Sequence, residues 1–413
     1  MADSVDELRE RARRWLSEHA TLRPAAETSS WGVGSDDLSV FHDVDAAEER
    51  AVLDRLVAWH QLKLAAGLAL LEWPIEDGGG GLTPEHEEAV RAEERRYDLP
   101  ASHELFDVTL GLIAPTIRLF GTEQQRRELL PRLLRAEDLA CQLFSEPSAG
   151  SDLASLGTRA VRDGDEWVVN GQKVWTSGAH LAQWGELIAR TDPDVPKHAG
   201  LTAFVIPLDL PGITVRPLRQ MSGGSSFNEV FLDDVRVPDS CRLGAVGDGW
   251  KVTLTTLGFE RGGDGPPMRV GGGYDELLAL ARWLGRDKDP VVRQRLAEVY
   301  AHERVGVLNA LRADAERRPG QAPGPEGSIK KLHWVRGLTQ VSEVAALLLG
   351  NRLVADTGEW GTFAWTAHVL GAPGYRIAGG SDEVQRTILG ERVLGLPAEP
   401  RADRGLPWRE SVR

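Results

Sequence analysis

Cysteine is almost missing from the 413 residues: only Cys141 and Cys241 are present. Two thiols cannot build a disulfide framework and lack the spacing of a metal pair, so a reducing compartment is expected. The ten histidines do not cluster either, and no metal site is expected. Basic charge is short as well, with 48 Lys and Arg against 62 Asp and Glu and a formal net charge of −14. Such a surface does not neutralise phosphates, which excludes general nucleic-acid binding. No apolar run is long enough to span a bilayer. The opening Met1-Ala2-Asp3-Ser4 passes straight into a charged amphipathic pattern, without a basic start, apolar core or cleavage site. No membrane span and a cytoplasmic location are therefore expected.

What remains is a soluble globular composition, 41% hydrophobic and 27% charged, long enough for a large core in two or three domains. Ser4-Val5-Asp6-Glu7 has the form of a capping box, and Leu8, Ala12, Trp15 and Leu16 then share one helical face. Residues 21–46 read as a loop before a second helix carrying Leu53, Leu56, Val57 and His60. The glycines 78–81 read as a turn, since no Gly-Lys-Ser/Thr follows to make a phosphate loop. Thr83-Pro84-Glu85 starts a further helix, and helical patterns follow over 105–119 and 123–134. Residues 1–137 thus read as an all-helical domain.

From Leu139 the texture changes to short alternating segments at 166–169, 172–176, 185–190, 201–206, 213–218 and 229–237, punctuated by Gly, Pro, Asn and Asp. Residues 138–243 read as a β domain, with Asn170-Gly171 as a turn between two strands. Helical periodicity returns at Gly249-Trp250, and residues 244–413 read as a second helical domain. That domain is interrupted by Gly262 to Pro267 and by a proline- and glycine-rich break over 318–327. Near its end Gly379-Gly380 precedes Ser381, a plausible N-cap. The fold class is α+β.

The stretch from Cys141 to Trp184 carries the chemistry. Its loop from Ser145 to Ser151 offers hydroxyls and backbone N–H groups, and Trp175 offers a flat apolar face. Either half alone reads as an ordinary surface feature. Together they suit a planar, phosphate-bearing cofactor.

Five motifs in order give the chain its resemblance: Gly121-Thr122-Glu123-Gln124-Gln125; Ser145-Glu146-Pro147 with Gly150-Ser151-Asp152; Asn170-Gly171-Gln172-Lys173 leading to Trp175; Gly324-Pro325-Glu326-Gly327-Ser328; and Gly379 through Arg386 with Glu391-Arg392-Val393-Leu394-Gly395. With these the chain resembles the acyl-CoA dehydrogenase family, whose helical, β and helical domains follow the same order. The resemblance implies FAD as cofactor and α,β-dehydrogenation of an acyl-CoA thioester. It places Gln142, Phe144, Ser145, Gly150, Ser151, Trp175, Thr176, Ser177, Ser381 and Glu383 at the cofactor, Ser177 reaching towards flavin N5. Ser151, Arg261 and Gly380 fall at substrate positions.

The reaction needs a carboxylate for the α-proton while the β-hydrogen leaves as hydride to the flavin. Many family members carry that base at the position held here by Gly379. Others, of an actinobacterial type, place a Glu before an Arg on the first long helix of the last domain, and this chain has Glu260-Arg261 there. The resemblance therefore assigns the base to Glu260, with Gly379 keeping the backbone N–H that polarises the thioester. Arg282-Trp283-Leu284-Gly285-Arg286 departs from the family's intersubunit motif, and no glutamine-glycine motif is recognisable near residues 347–351. A homo- or hetero-oligomer such as a tetramer and an electron-transfer flavoprotein or similar acceptor are implied. The Gly-Pro cluster after Glu260 should disturb the helix there, from which a pocket reshaped for a bulky or branched acyl group is expected. An acyl-CoA oxidase and a non-catalytic partner subunit are the alternative readings.

Overall fold

In the computed structural model, residues 4–23, 38–41, 44–262, 271–316, 324–325, 327–355, 357–403 and 405–411 are described. The chain starts with helices: α1 (Val5–His19), α2 (Ala46–Ala65), α3 (Pro84–Glu94), α4 (Glu104–Val108), α5 (Ala114–Phe120), α6 (Glu123–Glu128) and α7 (Leu130–Leu134). The Ser4 capping box forms as expected and α1 buries Leu8, Ala12 and Leu16. This first region is not wholly helical, because β1 (Thr21–Leu22) pairs antiparallel with β2 (Tyr97–Asp98). Two residues per strand carry no periodicity, so only the long-range pairing reveals them. Between α4 and α5 lies one π-helical turn, Thr109–Ile113. There the Thr109 hydroxyl binds the backbone N–H and C=O of Ala140 at 2.9 and 3.2 Å, tying the helices to the sheet.

Eight strands follow: β3 (Ala140–Leu143), β4 (Arg159–Asp163), β5 (Glu166–Ser177), β6 (Trp184–Arg190), β7 (Leu201–Pro207), β8 (Ile213–Leu218), β9 (Phe227–Pro238) and β10 (Arg242–Leu243). They form one sheet in the order β10-β7-β6-β4-β5-β9-β8, with β3 added parallel to β6. The expected turn at Asn170-Gly171 does not exist. The strand runs through it, and the hairpin turn lies before it at Gly164, with φ +67°. Asn170 uses its amide on Asp234, donating to Oδ1 at 2.9 Å and accepting the backbone N–H at 3.0 Å. A Cβ at Gly171 would stand 2.3 Å from the Thr158 hydroxyl, so glycine is required there by close approach rather than by a turn.

The last region contains α8 (Gly249–Gly262), α9 (Tyr274–Trp283), α10 (Pro290–Glu316), α11 (Gly327–Leu349), α12 (Thr362–Gly371) and α13 (Asp382–Ile388). Its core joins Leu277, Leu280, Val292, Val299, Val341 and Trp365. Residues 263–270, which include most of the Gly-Pro cluster, lie outside the described residues.

Two buried polar clusters lock the layers together. Fully buried Lys173 on β5 donates to Phe144 O at 3.0 Å, Glu146 Oε1 at 2.9 Å and Ile188 O at 2.8 Å, so one ammonium joins β5, β6 and the end of β3. Between sheet and helices, Glu186 Oε1 pairs with the Thr256 hydroxyl at 2.8 Å, and Thr256 meets Thr116 at 3.0 Å. Burial pushes the Glu186 carboxyl up to about 8. Thr256 donates to Glu186 Oε1, and the Thr116 hydroxyl donates to Leu112 O at 2.8 Å.

Two outcomes are expected. Lys173→Met leaves Glu146 buried without its cation and should cost about 3–5 kcal/mol in chemical denaturation. Because folded Glu186 holds its proton where the unfolded chain does not, stability should fall as pH rises from the ordinary carboxylate range towards 8. Glu186→Gln keeps the neutral hydrogen bonding, and its melting temperature should fall less across that window.

Candidate functional site

The loop after β3 is closed on itself before it meets anything else. Glu146 and Ala149 exchange backbone hydrogen bonds, both 3.0 Å. The Glu146 carboxylate, 8% exposed, accepts Gly157 N at 2.7 Å, Thr158 N at 2.9 Å and Lys173 Nζ. Burial would raise its pKa, but the Lys173 charge and these N–H donors hold it below the usual range. The Ser145-Glu146-Pro147 and Asn170-Gly171-Gln172-Lys173 motifs are thereby one structural unit. Ser145 is half-buried, with its carbonyl on Val174 N at 2.9 Å, while Gly150 and Ser151 stand exposed on the loop's outer side. Phe144 is buried in the core, and Gln142 presents an Nε2 that is buried without a partner.

On the neighbouring strand, the register between β5 and β9 breaks from Lys173 to Thr176. Trp175 sits in this bulge at φ +60°, a conformation an aromatic residue rarely adopts, and the residue is 59% exposed. Strain of this kind persists only where the surroundings impose it. The surroundings are visible: Thr176 is buried with its carbonyl accepting Asn228 Nδ2 at 3.1 Å, and the Ser177 hydroxyl donates to Glu104 Oε1 at 3.0 Å. The Thr176 hydroxyl is buried and unpartnered.

From the bulge a chain of ring contacts leads to Phe41 and Tyr375. Trp175 meets Phe227 edge-on at 5.9 Å, Phe227 meets Phe41 at 5.5 Å, and Phe41 stacks on Tyr375 at 4.7 Å. Glu104 and Asp107, three apart on α4, both touch solvent, yet burial raises the pKa of each, Asp107 to about 6. Burial, and then the nearby Glu104 charge, raise the Tyr375 hydroxyl too. None of Glu104, Asp107 and Tyr375 carries a sequence motif; an i, i+3 acidic pair on a predicted helix was the only trace.

Four residues beyond Tyr375, Gly379 has φ +65° and lies exposed, followed by Gly380 at φ +84°. At Gly380 a Cβ would meet Gln385 Nε2 at 2.7 Å, and that amide donates to Gly379 O at 2.7 Å. Ser381 caps α13 by accepting Val384 N at 3.3 Å, and Glu383 is exposed and pairs with Arg386 at 3.7 Å. Glu260 and Arg261 occupy the last turn of α8, and their side chains lie outside the described residues.

The C-terminal tail adds contacts that no sequence motif marks. After residue 395 the chain returns to the sheet, where Trp408 donates through Nε1 to Ser155 O at 3.1 Å and lies 4.6 Å beneath the Arg190 guanidinium. Lys197 bridges Asp152 at 2.7 Å and Asp403 at 2.9 Å. The tail thus braces the loop bearing Ser151 and Asp152.

Three family models match the chain: acyl-CoA dehydrogenase N-terminal domain over residues 39–137, middle domain over 141–235 and C-terminal domain over 247–394. Acyl-CoA dehydrogenase IpdE1 of Mycobacterium tuberculosis (strain ATCC 25618 / H37Rv) is 40% identical over 401 residues, 96% of this chain and 98% of the relative. Among solved structures, the Tcur3481-Tcur3483 steroid ACAD matches with a TM-score of 0.73 and 28% identity, over 96% of this chain and 98% of that one. The ChsE4-ChsE5 complex from Mycobacterium tuberculosis matches with a TM-score of 0.69 and 26% identity, over 96% and 98%. A helical, sheet and helical architecture, a strained tryptophan beside a braced hydroxyl loop, and these likenesses agree: the chain belongs to the acyl-CoA dehydrogenase family and is an oxidoreductase.

Proposed function

We propose that the protein carries out FAD-dependent α,β-dehydrogenation of an acyl-CoA thioester, with Glu260 as the base. The observation that carries this reading is the left-handed, exposed Trp175 in the bulge of β5. A flat ring held open against strain suits a planar partner, and the buried, unpartnered Gln142 Nε2 and Thr176 hydroxyl suit a group with polar edges. Gln142, Ser145, Trp175, Thr176 and Ser177 would hold the isoalloxazine, with Gly150 and Ser151 towards the phosphates and Ser381 and Glu383 on the C-terminal side. When bound, FAD supplies the two-electron acceptor for the β-hydrogen.

The chain's own residues supply the rest. Gly379 carries no carboxylate, and among the described residues no backbone carbonyl accepts its N–H, which fits it to polarise a thioester oxygen. The α-proton then needs a base from elsewhere, and Glu260 on α8 answers that need, with Arg261 to orient it and Gly380 beside the thioester. Domains are proposed at 1–137, 138–243 and 244–413. The steroid ACAD among the structural neighbours favours a bulky acyl group over a straight chain. The two-chain names of those neighbours favour a second, different subunit, with an electron-transfer flavoprotein or similar acceptor taking the electrons.

Purified protein should be yellow and should bleach when acyl-CoA is added without oxygen. Glu260→Gln should slow that bleaching by about 10²–10⁴-fold, the usual contribution of a general base. Full activity in the variant would remove Glu260 from the role, and a strong preference for straight over branched or cyclic chains would remove the bulky substrate. Rapid reoxidation by oxygen with peroxide release would assign an oxidase. A colourless chain that takes FAD only beside a second protein would assign a partner subunit.

A further inference from the structure

Behind the bulge, one buried carboxylate touches the supports of both its halves. Glu49, on α2, is 4% exposed. Its Oε1 accepts from His103 Nε2 at 3.3 Å and its Oε2 from His180 Nε2 at 3.0 Å. The partners on the far side of each ring dictate the tautomers. His103 Nδ1 accepts the Leu105 N–H at 3.2 Å, so the ring hydrogen sits on Nε2. Asn228 Nδ2 gives one hydrogen to the Thr176 carbonyl and the other to His180 Nδ1, both at 3.1 Å, so His180 also carries its hydrogen on Nε2. Turning the Asn228 amide over would set its oxygen against the Thr176 carbonyl.

Each imidazole leads to the bulge by its own route. His103 caps α4, whose first residue, Glu104, accepts the Ser177 hydroxyl. His180 orients Asn228, which holds Thr176. Burial would raise the Glu49 pKa, but the hydrogen bonds from His103 and His180 overcome it and hold the carboxyl down, to about 2. Both oxygens therefore remain acceptors through the neutral range.

The geometry points to Glu49 as a positioning residue for the flavin wall: through His103 and His180 it fixes Ser177 and Thr176, and so keeps Trp175 in its left-handed conformation. This rests on the reading of Trp175–Ser177 as the flavin-binding face. Glu49 bonds the two imidazoles and not Thr176 or Ser177 themselves. Its place among the N-terminal helices makes that region a determinant of the flavin's setting.

Glu49→Gln tests it in the full-length protein. An amide accepts on one atom only and turns a donor towards the other imidazole, which must then release Leu105 or Asn228. FAD binding should weaken about tenfold, near the upper range for one hydrogen bond, with a shifted flavin absorption band and reduction potential. His180→Gln, at a half-buried side chain, should move the same readouts in the same direction if Glu49→Gln fails to fold. Leu8→Ala, in the core of α1, should lower the melting temperature without shifting band or potential. Wild-type values in both Glu49→Gln and His180→Gln, or an equal spectral shift in Leu8→Ala, would overturn the positioning role alone. A wild-type protein that takes up no FAD would overturn the flavin site and this inference together.

Discussion

Lys173 brings a charged ammonium into a sheet interior from which water is excluded, and most of the candidate site depends on how that charge is satisfied. Its three acceptors belong to three parts of the chain: the end of β3, the loop after it, and β6. Removing a charge from water costs several kcal/mol, so the arrangement holds only if all three come to the ammonium together. Glu146 then spends its remaining lone pairs on Gly157 and Thr158, which closes the hydroxyl loop. The same strand that delivers Lys173 continues two residues to Trp175, so the loop and the aromatic wall are set by one buried ion pair.

Around that pair the fold separates rigidity from access. Glu186, Thr256 and Thr116 clamp β6, α8 and α5 in the interior, while Trp175, Gly379 and the Ser151 loop stay exposed. The strain at Trp175 is affordable because both following residues are held, Thr176 by Asn228 and Ser177 by Glu104. Glu104 in turn sits on a helix capped by His103, so the middle sheet's most exposed aromatic residue is governed from the first helical region. The C-terminal tail acts from the opposite side, through Trp408 against Arg190 and Asp403 against Lys197. Segments remote in sequence thus converge on a loop and a bulge that lie only some thirty positions apart, roughly as expected when function resides on irregular segments held by a rigid scaffold.

Several of these features were legible in the residues alone. Helix starts at Ser4, Thr83 and Ser381 are local, since a cap needs only its own first turn; all three helices begin there, with the Ser4 and Ser381 hydroxyls capping. The change from helical to alternating pattern near Leu139 is likewise local, as is the return at Gly249. Asn170-Gly171 misled because an Asn-Gly pair between alternating residues is the strongest short-range hairpin signal. Its real partners, Asp234 and Thr158, lie on other strands, and no window along the sequence contains them.

The sequence by itself determined the order of helical, β and helical regions, the motifs that mark the family, and the glycine at 379 where a carboxylate could have stood. Those properties follow from short-range spacing and residue type. Only the tertiary structure decided that Lys173 and Glu146 form one buried pair, that Trp175 takes a left-handed conformation, and that Glu104 meets Ser177. It also brought Glu49 to two histidines 54 and 131 positions away. Burial and partner geometry set these outcomes, and both are products of packing between distant segments, which residue spacing does not encode.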